Sequence, residues 1–75
     1  MTSIVFHPET ELTMLGVTDD AVMTITEDRQ AATTRITLRE KASSELVLRL
    51  TISKSTIPAT TIAAGLYETW RKGRR

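Results

Sequence analysis

The strongest constraint on this chain is an alternation of side chains with a period of two, running through two neighbouring stretches. In Glu45 to Ser53, ELVLRLTIS, Leu46, Leu48, Leu50 and Ile52 fall on one side of an extended backbone, and Val47, Arg49, Thr51 and Ser53 on the other. The preceding TTRITLRE repeats the pattern, with Ile36 and Leu38 on one side and Arg35, Thr37 and Arg39 on the other. A short polar link between them makes a β-hairpin the natural reading. Further along, Ala59, Ile62, Ala63, Leu66 and Trp70 recur at helical spacing, so a helix is expected to cover the apolar face of the sheet.

Upstream, ELTMLGV and AVMTITE read as a first hairpin about a turn at Thr18, Asp19 and Asp20. Met23 and Ile25 share a face opposite Val22, Thr24 and Thr26. The first strand is less regular: Leu12 and Met14 lie on one side, Leu15 and Val17 on the other, and Gly16 is a candidate bulge. Without a bulge there, the sheet is apolar in places on both sides, which calls for a second covering surface. Ile4, Val5 and Phe6 form a short apolar run ending at Pro8, either an edge strand or an arm within residues 1 to 10, with His7 as a surface residue. Pro58 suits the first helical turn, and Ser55, Thr56 or Thr60 are candidate caps. Gly65 is expected to permit close approach to the sheet, Gly73 to stop the helix, and Tyr67 to sit at a rim or subunit contact. The expected fold is α+β, a four-stranded antiparallel sheet of two hairpins followed by one C-terminal helix on one face, in a single domain over residues 1–75.

At 75 residues the chain has one core, and domains this small bury only about 60% of their unfolded surface. With no cysteine and a single histidine, disulfides and thiolate or histidine metal clusters are excluded, so oligomerisation is the expected supplement to stability. No apolar run approaches the ~20 residues that span a bilayer. The N-terminus lacks signal-peptide regions, so the expectation is a cytoplasmic protein without a membrane partner.

The net charge of +1 hides an asymmetry: residues 1 to 69 carry six basic and nine acidic side chains, and Arg71, Lys72, Arg74 and Arg75 follow as a basic tail within 71–75. The three glycines are isolated, so no phosphate loop or nucleophile elbow occurs, and the adjacent Asp19 and Asp20 serve a turn rather than an acid–base pair. No catalytic residue, metal ligand or cofactor is expected. Two functional expectations remain. The first is a small non-enzymatic protein-binding or regulatory protein, a homodimer using Ile4, Val5, Phe6, Leu15 and Val17 for dimerisation. The alternative is a nucleic-acid-binding regulator. Both place partner binding on Arg35, Arg39 and Arg49 of the exposed sheet face and on Arg71, Lys72, Arg74 and Arg75. In element order the chain resembles some dimeric single-stranded-DNA-binding coactivators, with no matching motif.

Overall fold

A computed structural model describes residues 4–53 and 56–73. The sheet has five strands rather than the four expected: β1 (Phe6–Pro8), β2 (Thr13–Val17), β3 (Ala21–Asp28), β4 (Thr33–Glu40) and β5 (Leu46–Ser53), followed by the helix α1 (Ala59–Gly73). All neighbours are antiparallel and the strand order is the order of the chain, β1-β2-β3-β4-β5.

The fifth strand is β1, and Gly16 is what lets it pair. Phe6 lies opposite Gly16. A Cβ there would stand 2.7 Å from Phe6 Cε1 and 2.9 Å from Ile4 Cγ2, so the missing side chain is the space those groups occupy. No register shift occurs between β2 and β3, so Gly16 is a close-approach residue and not the expected bulge. The bulge sits elsewhere, at the start of β5. Leu38 pairs with Leu48 but Arg39 with Leu46, which leaves Val47 extra and breaks the alternation. Leu46 therefore leaves the line of Leu48, Leu50 and Ile52, and both Leu46 and Val47 are 40% exposed.

The alternation of β3 and β4 puts Ala21, Met23 and Ile25 beside Ile36 and Leu38, with Met23 opposite Leu38 and Ile25 opposite Ile36. Ala63 and Tyr67 of α1 close this core from above, and the helix packs on β3 and β4. Met23, Ile36 and Leu38 are fully buried, each worth about 1.5–3 kcal/mol of transfer free energy.

The helix packs with the expected stripe, Ala63 within the core and Ala59, Ile62, Leu66 and Trp70 against it, and adds Tyr67, which the stripe did not include. Its buried positions are Ala63 and Tyr67, with Ile62, Leu66 and Trp70 half-buried at the flanks. Ala63 and Tyr67 lie one turn apart on the same face, so both side chains point into the core. Gly65 is exposed, and a Cβ on it would meet nothing within 4 Å, so it does not mediate the approach. Pro58 stands just before the helix and its carbonyl accepts from the N–H groups of Thr61 (3.0 Å) and Ile62 (3.2 Å). Gly73 is the last helical residue and has no positive φ. Ser55 lies outside the described residues.

Candidate functional site

One face of the sheet carries the helix, and none of the described elements covers the other. Odd-numbered residues of β4 and β5 point to the bare side, so Arg35, Arg39 and Arg49 share it with Thr24, Thr26, Thr37 and Thr51. Arg49 lies directly opposite Thr37, and Arg35 opposite Thr51, which sets Arg35 and Arg49 as diagonal neighbours roughly 7–8 Å apart at the backbone. All three arginines are exposed. Arg39 is tethered, its Nη1 donating to the carbonyl of Ser44 at 3.2 Å beside the bulge. An ion pair joins Arg29 Nη2 to Glu11 Oε1 at 3.0 Å in exposed loops, and among the described residues no carboxylate pairs with Arg35 or Arg49. Arg35 does line a recess of about 430 Å³ with Thr26, Glu27 and Asp28 at the β3–β4 turn. The Asp28 carboxylate there is engaged by the N–H groups of Gln30 and Ala31, each at 3.1 Å.

The other end of this face is apolar. Leu15 and Val17 of β2 stand beside Thr24 and Val22 of β3, with Val17 51% and Val5 65% exposed. Val5, His7, Leu15 and Val17 line an open recess of about 390 Å³. The five residues expected to form one dimerisation patch are thus divided by the sheet: Ile4 and Phe6 pack against the core, and Val5, Leu15 and Val17 remain outside. His7 is an exposed residue of β1, paired with Leu15.

The basic residues are divided too. Arg71 and Lys72 are exposed in the last turn of α1, on the helix side, so they do not join the three sheet arginines on one surface. Arg74 and Arg75 lie outside the described residues. The three aromatic side chains also belong to the helix side, where Phe6, Tyr67 and Trp70 pack on or within the core.

A polar node tied to the core was missed by sequence reasoning. Tyr67 is 3% exposed, and its hydroxyl donates to Asp20 Oδ1 at 2.6 Å. Thr18 Oγ1 lies 3.0 Å from the same oxygen and accepts the N–H of Ala21 at 3.0 Å, while the Asp20 carbonyl accepts the N–H of Lys41 at 3.0 Å. This bolts the β2–β3 turn to the helix and to the end of β4. Burial first, and then the bond to Asp20, hold the Tyr67 phenol above its ordinary pKa of 10.0. A phenol kept protonated is a poor base or nucleophile, and the group reads as a structural tie. The recurrence of Ala59, Ala63 and Tyr67 at intervals of four was the signal for it.

Among the described residues no group of three His, Cys, Asp or Glu side chains is placed to hold a metal ion, and no helix is long and apolar enough to cross a membrane. Comparison with family models, with curated proteins and with solved structures finds no match.

Proposed function

We propose that this chain is a small non-enzymatic interaction protein, a homodimer that binds a protein partner through the sheet face its helix leaves bare. The observation that carries this reading is the composition of that face: Arg35 and Arg49 without carboxylate partners at one end, Leu15, Val17 and Val22 at the other. Guanidinium forks match carboxylates in two parallel hydrogen bonds, and adjoining apolar side chains supply the area that non-directional burial needs. A partner offering acidic side chains next to aliphatic ones fits both halves. The absence of a Gly16 bulge supports the same reading, since it leaves apolar residues on both sides of the sheet.

Nucleic acid is the second reading, favoured by the same two arginines, which suit phosphates as well as carboxylates. It is weakened by two features of the structure. Single-strand and RNA-binding sheets stack bases on aromatic rings, and this face has none among the described residues. The helix-end cations Arg71 and Lys72 lie on the other side of the molecule.

The test is capture from the native host lysate by the wild type and by the variant with Arg35, Arg39 and Arg49 all replaced by alanine. All three side chains are exposed, so the variant should fold. A protein retained by the wild type after nuclease treatment and lost by the variant supports the proposal. Capture abolished by nuclease moves the reading to nucleic acid.

A further inference from the structure

The two edges of the sheet differ. β1 is three residues long and ends at Pro8, which has no N–H to offer, so that edge is closed to another strand. β5 is eight residues long, LVLRLTIS, with one charge and no proline, and its outer side pairs with no other strand among the described residues. A long, aliphatic, unprotected edge is a template for strand addition. The core is also unfinished on this side. The helix packs on β3 and β4, so the helix-side residues of β5, Leu48, Leu50 and Ile52, remain only half-buried at the margin of the core.

We infer that β5 is the seam of the dimer, with a second copy of this chain adding antiparallel about a two-fold axis at Leu50. This deepens the homodimer reading and rests on it. The register follows from the bulge. Pairing with β4 is irregular at Leu46 and Val47 and regular from Leu48 onward, so the straight segment to Ser53 has Leu50 near its middle. In antiparallel pairing about that residue, Leu50 meets its own copy and Leu48 meets Ile52, all on the helix side, which closes the open margin of both cores. On the other side Arg49 meets Thr51. A shift of the axis to Arg49 would set two guanidinium groups face to face, a destabilising like-charge pair. A two-fold axis perpendicular to the sheet keeps both helices on one side and joins the two bare faces into one. An acidic protein partner then meets a surface on which both copies of Arg35 and Arg49 flank the seam.

The dimer constant is measured by sedimentation equilibrium for the wild type and for Thr51→Lys and Thr51→Glu. Thr51 is exposed, and far-UV circular dichroism checks that both variants fold. Each dimer contains the Arg49–Thr51 contact twice, so Thr51→Lys should weaken association roughly 2- to 30-fold and Thr51→Glu should tighten it. The chain has no cysteine, so oxidising an equimolar mixture of Arg49→Cys and Thr51→Cys should give the mixed disulfide in preference to either homodisulfide. A dimer that ignores both Thr51 changes and forms no mixed disulfide overturns the β5 seam while leaving the homodimer intact on another surface. A monomer at high micromolar concentration overturns both.

Discussion

Replacing Tyr67 by phenylalanine removes one oxygen and leaves the ring that fills the core and lies 6.0 Å from Trp70. What is lost is the 2.6 Å hydrogen bond to Asp20. Bonds to charged groups contribute about 1.5–3 kcal/mol. The low end applies, because Asp20 is only partly buried and keeps the Thr18 hydroxyl 3.0 Å away. A loss of about 1.5 kcal/mol in a domain of this size lowers Tm by roughly 6–12 °C. Urea unfolding followed by far-UV circular dichroism, at one fixed protein concentration, measures it, with Asp20→Ala and the double variant completing a thermodynamic cycle. Strictly additive effects in the cycle, or a Tyr67→Phe variant within about 0.5 kcal/mol of the wild type, would refute the claim that this bond ties the β2–β3 turn to the helix.

The same tyrosine gives a pH dependence. Its folded pKa is raised, so the stability it contributes is complete below the unfolded value of 10.0 and is lost as pH rises from there through the folded value. As the only tyrosine of the chain, its tyrosinate absorbance should titrate with a midpoint above 10.0 in the native protein and fall back on unfolding. Gly16→Ala drives a methyl group against Phe6 and Ile4 and should cost about 1–3 kcal/mol, with amide exchange quickening first in β1. Gly65→Ala enters open space on the exposed side of the helix and should stabilise the protein by up to about 1 kcal/mol in the same urea assay. Leu38→Ala empties a fully buried position beside Met23 and should cost about 2–5 kcal/mol.

What was legible in the sequence was whatever depends on neighbours two to four residues away. The alternation of Ile36 and Leu38 with Arg35, Thr37 and Arg39 located both β4 and its arginine-bearing face, and the structure puts those side chains on those sides. What depends on distant contacts was not legible. The apolar run before Pro8 was legible as either an edge strand or an arm; it is a strand because Phe6 settles over Gly16, and nothing local distinguishes that glycine from one at a bulge. The displacement of Leu46 arises from the Arg39–Leu46 register, set by the hairpin turn through Ser44 with its φ of 61°. The helical stripe of Ala59, Ile62, Ala63, Leu66 and Trp70 was legible, whereas the burial of Tyr67 was not, because its hydroxyl finds Asp20 on the distant β2–β3 turn. Separation of Arg71 and Lys72 from the sheet arginines follows from the helix lying on the opposite face, a tertiary fact with tail composition playing no part.

The claim that the bare sheet face is the docking surface is tested most directly on the guanidinium groups themselves. In a side-chain NMR titration of the wild type with the captured protein partner, the Nε–Hε signals of Arg35, Arg39 and Arg49 should shift and that of Arg71 should stay in place. Movement of the Arg71 signal with the three sheet arginines unchanged would contradict the account and place the partner on the helix.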